Sequence, residues 1–116
     1  MSGDDLRVEE AKSRLAAALD TLEQVGQGPY PEDAISDYLW AKGIRGLRGD
    51  PMRCPVANYL RRYLPPEFRE GLAVGCTYVL CPQLEFVLTL PDVVREFIEC
   101  FDAGFFPALE EEGGTP

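Results

Sequence analysis

The chain has 116 residues, 46% of them hydrophobic and 27% charged, the proportions of one domain with one core. Its formal net charge is -9, from 11 basic and 20 acidic residues, and it contains no histidine. Without imidazole, Ser-His-Asp and Cys-His nucleophile systems, histidine metal sites and histidine pH switches are excluded.

No apolar run approaches the roughly 20 residues that span a bilayer. The start, Met1-Ser2-Gly3-Asp4-Asp5, is acidic and has no apolar segment of the secretory type. Neither end carries a lipidation motif. The expected setting is cytoplasmic, without membrane contact. Nine arginines against two lysines, with one asparagine and three isoleucines, reflect GC-rich codons and point to a bacterial or phage source. Charge is segmented: residues 1–44 carry a net -5, residues 45–71 a net +3 and residues 72–116 a net -7. The overall sign disfavours nucleic acid, whose affinity for proteins comes largely from phosphate neutralisation.

The first predicted element is a helix over residues 5–25. Val8, Ala11, Leu15, Ala18, Leu22 and Val25 recur at 3-4-3-4-3 spacing, with Leu19 widening the stripe. Asp4 or Asp5 suits its positive end and Gly26 its finish. The stripe can pack on its own core or seat a homodimer through helix 5–25. Gly28-Pro29-Tyr30-Pro31 breaks the chain, and a second helix follows from Pro31 to about Lys42. Ala34, Ile35, Tyr38, Leu39 and Lys42 share one side of it, whereas Trp40 points elsewhere. Trp40 covers a satellite cluster or anchors a partner.

Gly43-Ile44-Arg45-Gly46-Leu47-Arg48-Gly49-Asp50-Pro51 repeats glycine every third residue, interleaved with arginine. A third helix is expected from Cys54 as N-cap and Pro55 at the first position, running to about Leu64 before Pro65-Pro66 stops it. Residues 73–81 and 85–90 then read as a β-hairpin. A three-residue turn, Pro82-Gln83-Leu84, would set Leu80 opposite Phe86 and Tyr78 opposite Leu88, with Val74, Cys76, Tyr78, Leu80, Phe86, Leu88 and Leu90 on one apolar face and Val79, Cys81 and Val87 on the other. Pro91-Asp92 opens the last helix, which buries Val94, Phe97, Ile98 and Phe101 and ends at Gly104. Phe105-Phe106-Pro107-Ala108-Leu109 follows, and residues 110–116 are expected to be a disordered acidic tail.

These elements predict one α+β domain over residues 1–109: three N-terminal helices, a β-hairpin and a C-terminal helix. The roughly ten-residue link between the second and third helices is too long for a winged helix-turn-helix, whose usual turn is about three or four residues.

Two chemistries are conceivable within that domain. Arg45, Arg48 and Arg53, with Gly46, Gly49 and the helix start at Cys54, form a candidate anion site for phosphate or carboxylate. The loop matches neither the phosphate loop of nucleoside triphosphatases nor a dinucleotide fingerprint. The same arginines are alternatively solvated, or meet the acids of the last helix. Cys54 beside Arg53 is also a candidate reactive thiol, although no general base accompanies it at defined spacing. The cysteines at 54, 76, 81 and 100 lack the two close pairs of a zinc site, so neither metal nor cofactor is expected. The acids of the last helix, Glu96, Glu99 and Asp102, read as a solvated face. Trp40, Phe105 and Phe106 are the candidate interaction surface.

Tyr38-Leu39-Trp40-Ala41-Lys42-Gly43-Ile44-Arg45-Gly46, then Cys54-Pro55-Val56-Ala57-Asn58-Tyr59-Leu60, and finally Phe101-Asp102-Ala103-Gly104 resemble small uncharacterised proteins of high-GC Gram-positive bacteria. In outline the resemblance spans residues 35–109. It implies one compact cytoplasmic domain and carries no activity or site residue with it. The expectation is therefore a non-enzymatic protein-interaction or regulatory domain with a protein partner. Anion binding or thiol chemistry at the glycine-arginine loop is the alternative.

Overall fold

A computed structural model describes residues 3–111. The order is α1 (Gly3–Val25), α2 (Pro31–Ala41), α3 (Pro55–Arg61), β1 (Ala73–Val74), β2 (Tyr78–Cys81), β3 (Phe86–Thr89) and α4 (Asp92–Asp102). Short 3-10 turns lie at Pro66–Phe68, Pro82–Leu84 and Pro107–Leu109. Among the described residues, four helices and a three-stranded antiparallel sheet, ordered β1-β2-β3, make the mixed α+β architecture that the sequence predicts.

At 1.5 Å per residue, α1 is about 34 Å long, the longest element of the fold. It buries Ala11, Leu15, Ala18, Leu19 and Leu22 against α2, α3 and α4. The centre of the predicted stripe thus packs on the chain's own core, with Val8 and Val25 at its ends half-buried. Caps expected at Asp4 or Asp5 lie outside the residues whose side chains are described. Gly26 closes the helix, its N–H donating to Leu22 O at 3.0 Å. A Cβ there would sit 3.0 Å from Val93 Cγ2, so Gly26 lets α4 approach.

α2 buries Ile35, Ser36 and Leu39, and Lys42 Nζ lies 4.9 Å over the Tyr38 ring, its stem along the apolar edge as the spacing implies. α3 starts as predicted. Cys54 is extended (φ -68, ψ 161), and its sulfur accepts a hydrogen bond from the Ala57 N–H at 3.4 Å. The helix ends at Arg61, short of the expected Leu64, and continues as single turns. Pro65 lacks the N–H that would bond Arg61 O, and Leu64, preceding a proline, avoids the α region. At the centre of the core the Tyr59 hydroxyl donates to Ala18 O at 3.0 Å, and its ring meets Tyr38 and Tyr63 edge-on.

The sheet departs from the expected hairpin in two ways. The stretch 73–81 is not one strand: it turns at 75–77, with Gly75 N–H bonding Tyr78 O at 2.9 Å, and so gives β1 and β2. The β2–β3 register is also shifted by one residue: Cys81 pairs with Phe86, Leu80 with Val87, Val79 with Leu88 and Tyr78 with Thr89. The cause is Glu85, which adopts left-handed backbone (φ 51) and joins the turn as a further residue. A one-residue shift turns one strand over relative to the other, here β2, while Phe86 and Leu88 of β3 stay on the inner side. Val79 and Cys81 therefore face the core, while Tyr78 and Leu80 face outward. Cys76 is exposed and Cys81 buried, on opposite sides of their expected places, and neither forms a disulfide.

α4 buries Val94, Phe97, Ile98 and Phe101 as predicted, and Gly104 (φ 91) ends it. The segment after it is more ordered than expected for a tail beginning at residue 110. Leu109 is fully buried, and Glu110 forms a parallel bridge with Gly46. Residues 112–116 of the expected tail lie outside the described residues.

Candidate functional site

The glycine-arginine loop crosses the molecule between α2 and α3. Gly43 (φ 74) and Gly49 (φ 71) occupy left-handed backbone that other residues resist. Gly46 serves another purpose: a Cβ there would fall 2.5 Å from Arg53 O and 2.6 Å from the Cys54 carbonyl carbon. The loop can lie against the start of α3 only because that atom is missing. In this position Gly46 N–H donates to Leu109 O at 2.8 Å and Gly46 O accepts from Glu111 N–H at 3.0 Å. Leu47 N–H bonds Arg53 O at 2.8 Å, and the Asn58 amide bonds Arg45 O at 2.6 Å and Arg53 O at 3.2 Å.

This geometry separates the three candidate arginines. Arg48 pairs with Glu110 (Nε to Oε1 3.4 Å) and lies over Gly104, while the neighbouring Gly49 N–H donates to Asp102 Oδ1 at 2.9 Å. The loop is thus used internally, but not as expected: Arg48 meets Glu110, beyond the last helix, and the acid of that helix that reaches the loop, Asp102, is bound by the Gly49 backbone and not by an arginine. Arg45 and Arg53 are exposed, and among the described residues neither has a carboxylate within ion-pairing distance. Arg53 faces an open groove of about 710 Å³ that also presents Arg61, Arg69, Asp50, Glu70 and Glu111. Arg61 is held there by bonds to Met52 O, Asn58 Oδ1 and, at 3.4 Å, Leu72 O. Burial lowers its pKa, the direction expected for a cation partly removed from water. Sequence reasoning missed Arg61 and Arg69, which lie off the glycine loop and reach it only through the fold.

Cys54 is 3% exposed. Burial pushes its thiol up to about 11, outweighing the Ala57 and Val56 N–H groups and nearby Arg61, which pull the other way. Its helix-start position therefore does not favour a thiolate. A second cleft of about 270 Å³ runs between Asp50, Cys54, Cys76, Arg95, Ile98 and Asp102. Among the described residues no group of His, Cys, Asp or Glu is placed to hold a metal ion.

The interaction candidates also divide. Trp40 and Phe105 are exposed, by 56% and 69%, so Trp40 covers no satellite cluster. Phe106 is half-buried, its ring 5.4 Å from that of Phe97, and belongs to the packing of α4. A surface that sequence reasoning did not assemble, because it put Tyr78 and Leu80 on the face opposite to Val87, lies on the outside of the sheet. Tyr78, Leu80 and Val87 are each about half exposed, and Leu80 and Val87 are cross-strand partners. Only the position of Glu85 in the turn, rather than in β3, could have revealed this, and nothing in the Pro82–Glu85 sequence demands a left-handed glutamate.

No helix among the described residues is long and apolar enough to cross a membrane. Comparison with protein-family models, curated proteins and solved structures finds no match to this chain.

Proposed function

We propose that this chain is a small non-enzymatic protein-interaction or regulatory domain, acting in the cytoplasm through contact with a protein partner. One observation carries the reading: Tyr78, Leu80 and Val87 form a contiguous apolar strip on the outer face of the sheet, each about half open to solvent. Apolar patches of this kind, on a chain with a well-filled core, mark contact sites. Trp40 and Phe105 add exposed aromatic anchors, the residue type that dominates interface energy. The resemblance to small Gram-positive proteins belongs to the same proposal and supplies no activity. The test is affinity capture with the intact chain and with a Tyr78→Lys, Leu80→Lys variant that keeps its circular dichroism. A protein retained by the first and lost with the second supports the reading. The same set of proteins with both, or none with either, overturns it.

Anion binding is a second reading, favoured by Arg53, Arg61 and Arg69 lining one groove; Asp50, Glu70 and Glu111 line it too, but among the described residues none is within ion-pairing distance of these arginines. Millimolar inorganic phosphate should then raise the melting temperature, and Arg53→Ala with Arg69→Ala should abolish the rise. An unchanged melting temperature eliminates it.

A further inference from the structure

We propose that the chain pairs with a second copy of itself, antiparallel, along the open edge of β3. The proposal rests on the protein-interaction reading and names its partner. It starts from the hydrogen bonding of the sheet. Leu90 N–H donates to Thr77 O at 2.8 Å, in register with the β2–β3 pairs. Bonded and unbonded pairs alternate in an antiparallel ladder, so Val79–Leu88 and Cys81–Phe86 are bonded pairs. The N–H and C=O groups of Val87 and Thr89 consequently point away from β2. Among the described residues, no backbone group outside the sheet meets them. The opposite edge is different: Val74 N–H donates to Pro51 O at 2.8 Å, so the loop before α3 covers β1.

Open edges are commonly blunted by lysine, proline or a bulge. Phe86–Thr89 has none of these. Glu85 is the only charged residue among the 21 from Gly71 to Pro91, in a chain that is 27% charged. That imbalance decides which partner fits. Two chains of charge -9 repel over most of their surfaces, and the sheet is where they can meet without opposing carboxylates. A basic partner, drawn to the acidic remainder, would find almost nothing of opposite charge to read on this face.

Antiparallel partners share a face, so a two-fold axis through Leu88 keeps inner and outer surfaces continuous. Val87 then exchanges backbone bonds with Thr89 of the second copy, and Thr89 with its Val87. Leu88 meets its own copy on the inner side. On the outer side the Tyr78–Leu80–Val87 strip continues across the axis, doubling the three-stranded sheet. Such an isologous contact closes at two copies.

Sedimentation equilibrium over a concentration series reaching the millimolar range tests the pairing. The intact chain should form a reversible dimer, and Val87→Lys and Thr89→Lys should each weaken it at least tenfold. Both positions are exposed, so both variants should keep their circular dichroism. In the unmodified chain, exchange of the Val87 and Thr89 amide hydrogens should slow as concentration rises. A monomer at every concentration, or a dimer that both substitutions leave intact, overturns the pairing. If a monomeric chain still captures a different protein through Tyr78 and Leu80, the interaction reading stands and the second copy alone is discarded.

Discussion

Gly46→Ala should be among the most damaging small substitutions in this protein. The added methyl would lie 2.5 Å from Arg53 O and 2.6 Å from the Cys54 carbonyl carbon, and against the Pro55 nitrogen. All three atoms are backbone at a helix start, so none can swing aside as a flexible side chain would. Overpacking of this kind costs about 1–3 kcal/mol. Displacing the loop also strains the bonds to Leu109 O and from Glu111 N–H, each contributing about 1 kcal/mol net. The expected loss is therefore about 2–4 kcal/mol, with urea midpoint reduced and slope unchanged. For a domain of this size it corresponds to a fall in Tm of about 8–16 °C. Gly43→Ala is the control. It has the same chemistry with nothing within 4 Å, so only left-handed strain opposes it, about 1 kcal/mol. Gly28→Ala, with open space and no positive φ, should be neutral or slightly stabilising. A Gly46→Ala protein within about 0.5 kcal/mol of the unmodified chain, or less affected than Gly43→Ala, would refute the close approach of the loop to α3.

Further outcomes follow from the same geometry. Leu80→Ala, on the outer face, should cost under about 1 kcal/mol, whereas Val79→Ala, 1% exposed, should cost about 2 kcal/mol; the reverse order in urea denaturation would restore the register expected from sequence. Tyr59→Phe removes the hydroxyl's bond to Ala18 O, which keeps its acceptor role within α1, and should lose about 1 kcal/mol; an unchanged midpoint would remove that bond from the core. In the native protein a thiol reagent should modify exposed Cys76 well before Cys54 and Cys81, which should react only on unfolding. The raised Cys54 pKa also has a pH consequence. Below the ordinary value of 9.0 both states hold the proton and stability is full. Between about 9 and about 11 the unfolded chain ionises first, so stability falls by at most about 1.4 kcal/mol per pH unit. Cys54→Ser keeps a helix-capping side chain and should flatten that fall; an identical alkaline decline would place the titration elsewhere.

Local signals were legible in the sequence, and signals carried by contacts between distant segments were not. The stripes of α1 and α4, the proline that opens α2 and the Cys54 cap each depend on residues within a few positions of one another, where spacing and side-chain chemistry decide. Register depends on whether Glu85 belongs to strand or turn, and a left-handed glutamate has no signature comparable to a glycine. That single residue reversed β2 and moved Tyr78 and Leu80 from the expected face of Phe86 and Leu88 to the outer one. The glycine-arginine loop was legible as unusual but not as an internal strut, because Leu109, Glu110 and Asp102 come to it from far along the chain. Likewise the Arg53 groove draws on Arg61 and Arg69, which the fold gathers and composition alone cannot.

The outer face of the sheet is the surface on which the proposed function depends, and a photo-crosslinking amino acid in place of Tyr78 probes it where the protein acts. Irradiation of cells making this variant should give one discrete adduct, with a protein partner or a second copy, that Leu80→Lys suppresses. Adducts from the same probe at Arg53 or Phe105, with none from position 78, would contradict it.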